Sequence, residues 1–216
     1  MPESQHTQII QAFRRISMPL TQQRAMTQPR PPKRLQIMTD ILSDTGPLAR
    51  LPWRPIVWGG AAALYAVPVV AWFAVDGMLW DGADFVFAAV MIFGSALLVE
   101  IGLRISANVA YRAAVAIAVG ASFLTVWING AVGVIGSEDN PLNLMYFAAL
   151  AAMGLAALAV RFRAAALSNI LLAMASAQFA IAAVAQYHGH FIWVIAAFFA
   201  TVWALAGWLF ARARAT

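Results

Sequence analysis

The stretch "FVFAAVMIFGSALLVEIGLR", Phe85 to Arg104, decides the fold. No charged residue occurs between Phe85 and Val99, and then one carboxylate, Glu100, is followed four positions later by Arg104. A helix rises ~1.5 Å per residue, so about 20 apolar residues cross a hydrocarbon layer of ~30 Å. Runs of this kind recur from Ile56 onward. Of the 216 residues, 62% are hydrophobic and 11% charged, with a mean hydropathy of +0.76. A soluble domain carries about 25% charged residues. Transmembrane β-barrels show short alternating segments rather than continuous apolar runs, so the chain is expected to be all-α, a polytopic helical membrane protein.

Six spans are predicted, near 55–75, 85–107, 112–135, 141–160, 164–186 and 191–211. Short loops make successive helices antiparallel neighbours. The charges then sort by side. Eight of the fourteen Lys and Arg lie in residues 1–54; Arg104 and Arg112 flank the turn after the second span; Arg161 and Arg163 form the turn after the fourth; Arg212 and Arg214 follow the sixth. The alternate turns hold Asp76, Asp81 and Asp84, then Glu138 and Asp139, then His188 and His190. Positive residues collect on the cytoplasmic side, so both termini are expected there. The same sorting explains a pI near 10.4 as an orientation signal and not a nucleic-acid patch.

Residues 1–54 differ in composition from everything after them and read as a basic, largely disordered cytoplasmic tail, with 55–216 as the membrane domain. "QPRPPKRLQ" (Gln28 to Gln36) is expected to be extended. Ile9, Phe13 and Ile16 share one helical face beside Arg14 and Arg15, which suits either a short surface helix or a solvated tail. No apolar core precedes residue 56, which argues against a secretory signal. Met38 begins "MTDILSDTGPLARLPWRP", which reads like a natural start, with Met1 to Ile37 upstream of it.

Several residues invite a functional reading. Glu100 is the one acidic residue inside a span, and intramembrane carboxylates serve as proton relays. The alternative is structural, since Glu followed by Arg at i,i+4 is the favourable order for a helical ion pair. Ser168 and Asn169 enter the fifth span at a similar depth and are candidate partners of Glu100. Ser122, Thr125 and Asn129 share a face of the third span, continued by Gly133, and the fifth span supplies Ser176 and Gln178. This pattern fits a polar cavity or helix–helix adhesion. Together Glu100, Arg104, Asn129 and Asn169 form a candidate intramembrane polar site. Outside the bilayer, His188 and His190 form a candidate cluster with Glu138 and Asp139, although two histidines alone fall short of a zinc site.

The turn "GSEDNPLN" has a local reason for each residue type: Gly136 suits a positive φ after the third span, Asn140 an N-cap and Pro141 the first helical position. Trp53, Trp58, Trp80 and Trp208 lie near span ends, as an interfacial belt requires. No cofactor is expected. Walker, His-Glu-x-x-His and Gly-x-Ser-x-Gly motifs are absent, and so are cysteines. The spans lack lysine, which excludes a retinal Schiff base, and lack histidine, which argues against bis-histidine haem.

The segment "VWINGAVGVIGSEDNPLNLMYF" (Val126 to Phe147) resembles a pattern in small bacterial multi-pass inner-membrane proteins that carry no assigned activity. The likeness is best over the second to fourth spans. It implies a bacterial inner-membrane setting and transfers no functional residue. The expected function is non-enzymatic association in the membrane, as a homo-oligomer or as an accessory subunit of another membrane protein. The alternative is a small secondary transporter or channel using Glu100 and the polar faces of the third and fifth spans. The expected partners are the lipid bilayer and such a protein, with no nucleic acid.

Overall fold

A computed structural model describes residues 52–213. The tail, its candidate helix at Ile9–Ile16, the Met38 start and Arg214 lie outside the described residues. Six helices follow one another: α1 (Trp53–Ala74), α2 (Gly82–Ile105), α3 (Val109–Ala131), α4 (Leu144–Ala159), α5 (Ala164–Tyr187) and α6 (Trp193–Ala213). A 3-10 turn, Pro141–Asn143, leads into α4. Each of the six is long and apolar enough to cross a membrane, and no strand occurs among the described residues. The chain is a multi-pass helical membrane protein.

Several polar residues between spans are caps. Asp81 accepts from the backbone N–H groups of Ala83 (2.7 Å) and Asp84 (3.1 Å), and Asp84 accepts from that of Asp81 (2.9 Å), a complete capping box at the start of α2. Asn108 caps α3 by accepting from the Tyr111 N–H at 3.0 Å. Arg112 reaches back to the end of α2, donating to the carbonyls of Ser106 (2.9 Å) and Leu103 (3.2 Å). Those carbonyls have no partner within their own helix, so the guanidinium satisfies them.

The third helix stops four residues before the predicted end. Gly133 takes φ 72° and donates its N–H to the Ile128 carbonyl at 3.0 Å, which closes α3. Gly133 therefore leaves the polar face it was expected to extend. Gly136 also has positive φ, 71°. At the other end of the bundle, α4 stops in a turn where Arg161 (φ 54°) and Phe162 (φ 57°) are both left-handed without being glycine.

The α5–α6 pair shares the largest interface, followed by α3 with α6, and Gly207 permits the first: a Cβ there would lie 3.1 Å from the Ser168 carbonyl. Trp203, Phe199, Tyr111, Phe210, Leu171 and Met174 fill the space among α3, α5 and α6. A second cluster near the opposite end joins Ile135, Tyr146, Ile181 and Ala196. The expectation that successive helices are neighbours fails between α3 and α4, which touch little. The long turn between them lets α4 settle on α5 instead, while α3 packs on α6. The first helix meets mainly α2, and only 6% of its apolar stretch is buried, against 44% in α5.

Contacts between turns fix which ends lie together. The Tyr111 hydroxyl donates to the Phe162 carbonyl at 3.0 Å and its ring meets Phe210 at 5.0 Å. Arg54 and Arg104 meet at Glu100. All six described arginines thus gather at one face of the bundle. At the other face Trp80 meets Trp127, and Asn140 lies 3.3 Å from the His190 ring. That face carries Asp76, Asp81, Asp84, Glu138 and Asp139.

Candidate functional site

Glu100 is 4% exposed, one turn from the end of α2, and it is fully engaged. One carboxylate oxygen accepts from the indole N–H of Trp58. The other accepts from Arg104 Nε (3.1 Å) and Nη2 (2.5 Å) and forms an ion pair with Arg54, its Nε 2.9 Å away. The i,i+4 partner was legible in the sequence; the two partners on α1 were not. A carboxylate carrying two guanidiniums and an indole is a clasp between α1 and α2. Both arginine side chains remain about two-thirds exposed, at 68% and 67%, so they face the interface while their stems cover apolar surface.

The other members of the candidate intramembrane site lie elsewhere. Asn169 is exposed on α5 and makes no hydrogen bond to Glu100, while its neighbour Ser168 is buried against α6. On α3, Ser122, Thr125 and Asn129 bond to their own helix, donating to the carbonyls of Ala118 (2.9 Å), Ala121 (2.8 Å) and Thr125 (2.7 Å). This is the local alternative open to short polar side chains in a helix. Asn129 Oδ1 stays buried without a partner, as does Gln178 Nε2 on α5. Ser176 is exposed and bonded to the Leu172 carbonyl at 3.2 Å.

The turn between α3 and α4 is held by a residue that the sequence did not single out. Asn143 is 3% exposed, and its Oδ1 accepts from the N–H groups of Val134 (3.2 Å) and Ile135 (2.9 Å). Its Nδ2 donates to the Ser137 carbonyl at 2.7 Å and more weakly to that of Ile135 at 3.4 Å. Asn140 caps the 3-10 turn through the Leu142 N–H (3.0 Å) and turns its amide toward His190. A signal was present: two asparagines bracket a proline, and short amides bond to nearby backbone. His190 thus lies beside the turn, whereas Glu138, Asp139 and His188 are exposed. Among the described residues no three His, Asp or Glu side chains converge as a metal requires.

Three spaces complete the geometry. An apolar cavity of about 380 Å³ lies among α2, α3, α4, α5 and α6, walled by residues such as Ile101, Val115, Met153 and Phe210. A second, of about 420 Å³, opens at the arginine-bearing face between the start of α1, the end of α2 and Arg112. A third, of about 210 Å³, runs between α1, α2 and α3. No protein family, no curated protein and no solved structure matches this chain.

Proposed function

We propose that this chain is a non-enzymatic protein of the bacterial inner membrane, with both termini cytoplasmic, that works by association with copies of itself or with another membrane protein. The observation that carries the reading is α1. Its apolar stretch is 6% buried, and Gly59, Ala63 and Ala66 are exposed on one of its faces at spacings of four and three. Small residues on a membrane helix allow close approach of another helix. The gathering of arginines at one face supports cytoplasmic termini, and the likeness of Val126–Phe147 supports the bacterial setting.

The chain has no cysteine, which makes the test direct. The variant Ala63→Cys, oxidised in membranes, gives a disulfide-linked dimer if copies meet along α1. Mass measurement in mild detergent gives the stoichiometry and retains an accessory partner. A monomeric, partnerless particle without cross-link removes the proposal.

A second reading, a small transporter, draws on the buried, unpartnered polar atoms of Asn129 and Gln178. These lie on α3 and α5, where hydration would satisfy them. This reading expects the parent chain to support flux in proteoliposomes that Asn129→Ala, Gln178→Ala or Glu100→Gln abolishes; a parent chain that carries no flux eliminates it.

A further inference from the structure

The arginine-lined cavity and the groove among α1, α2 and α3 share no lining residue but follow the same faces of these helices and together outline one trench. On α2, Leu103 and Glu100 line the cavity, and Val99, Ala96 and Ile92 line the groove. These positions follow one another down a single helical face. On α3, Arg112 lines the cavity and Ala116, Gly120 and Phe123 continue the same face below it. On α1, Arg54 stands at the mouth, with Val57, Ala61 and Leu64 beneath. The trench starts cationic and becomes apolar with depth.

Its floor is open. A Cβ added at Gly60 or Gly120 would meet nothing within 4 Å, so these glycines do not serve close packing of one helix on another. They make room. Gly102, by contrast, lies where a Cβ would come 2.5 Å from Val115, so α2 and α3 touch there. From Leu103 to Ile92 the trench descends about 16 Å along α2. That is about half of a ~30 Å hydrocarbon layer, the depth of one leaflet.

The mouth is undersupplied with negative charge. Arg54, Arg104 and Arg112 line it with one carboxylate, Glu100. A guanidinium carries five N–H donors. Arg54 places only its Nε on Glu100, and Arg104 and Arg112 each engage Nε and Nη2. Trp53, in the same wall, buries its indole N–H without an acceptor. An anion rich in oxygen acceptors would complete this set of donors.

We propose that the trench seats an anionic phospholipid, its phosphate held by Arg54, Arg104 and Arg112 and one acyl chain lying between α1, α2 and α3. A partner helix does not suit the mouth, where three arginines meet one carboxylate and an apolar helix would bring no oxygen acceptors. A single hydrocarbon chain needs only a narrow slot. The site lies on the opposite side of α1 from Gly59, Ala63 and Ala66, so it is independent of association through that face.

The test uses the full chain, delipidated in mild detergent and titrated by native mass spectrometry with phosphatidylglycerol, phosphatidylcholine of the same chain length, or inorganic phosphate alone. The expected result is one phosphatidylglycerol per chain, preferred over phosphatidylcholine, whose ammonium offsets the phosphate charge, by about fivefold for each arginine at the headgroup. Arg112→Gln lowers that preference by about fivefold. Gly60→Leu with Gly120→Leu fills the groove and removes retention of either lipid at an unchanged melting temperature. If the pair lowers the melting temperature, Gly120→Leu alone carries the same reading. Equal retention of the two lipids, phosphatidylglycerol binding unchanged in the filled variant, or inorganic phosphate binding as tightly as the lipid each overturns the proposal. So does a co-purifying protein whose presence shields the trench from lipid.

Discussion

Trp58 and Glu100 stand 42 positions apart and share a hydrogen bond that ties α1 to α2. Arg54, one turn before Trp58, reaches the other oxygen of the same carboxylate. Removing the carboxylate therefore releases α1 from its main anchor. Glu100→Ala is expected to lower the melting temperature in detergent more than Trp58→Phe, with Glu100→Gln between them, since Gln keeps an acceptor for the indole. Equal melting curves for all three would show that the clasp contributes nothing.

Asn143→Ala is expected to destabilise the turn between α3 and α4. It strips acceptors from the N–H groups of Val134 and Ile135, both buried residues, and each orphaned buried donor costs about 1–3 kcal/mol. Asp139→Ala, on the exposed tip of the same turn, should change stability by less than ~0.5 kcal/mol. Thermal unfolding of the two variants side by side checks the contrast.

At the α2–α3 contact, Gly102→Ala forces a Cβ against Val115 and should cost about 1–3 kcal/mol through overpacking. Val115→Ala alone removes apolar contact, but combined with Gly102→Ala it should restore much of the loss. A double-mutant cycle reads the coupling, and additive effects would contradict the contact.

Arg161 occupies a left-handed conformation that costs an ordinary residue roughly 1 kcal/mol. Asparagine tolerates that region, so Arg161→Asn should raise the melting temperature by about 2–4 °C. A fall would mean that the guanidinium makes a stabilising interaction outweighing the backbone strain.

The six spans were legible because the bilayer demands so many consecutive apolar residues that little else satisfies the pattern. A helix start was legible where its cap is local, as at Asn140, which caps the 3-10 turn leading into α4. The end of α3 was not, because Val132, Val134 and Ile135 are apolar enough to continue a span and only Gly133 marks the stop. The pairing of α3 with α6 depends on which faces fit, and hydropathy carries no such record. Glu100 stood out at once, and its i,i+4 partner with it. Its clasp with Arg54 and Trp58 was hidden, since both come from a helix more than 40 residues earlier. Asn169 shared the predicted depth of Glu100 and still faces outward, because depth along a helix does not fix direction around it.

The segregation of charge also makes the bundle an electrical object. Among the described residues, one face bears six guanidiniums against the single carboxylate of Glu100, and the other bears five carboxylates. Across an energised membrane, each elementary charge carried over costs or returns about 2.3 kcal/mol per 100 mV. Turning the molecule over would move the cations one way and the anions the other, so both transfers add in the same sense. With the arginine face on the negative side, as proposed, the membrane voltage itself opposes turning the molecule over.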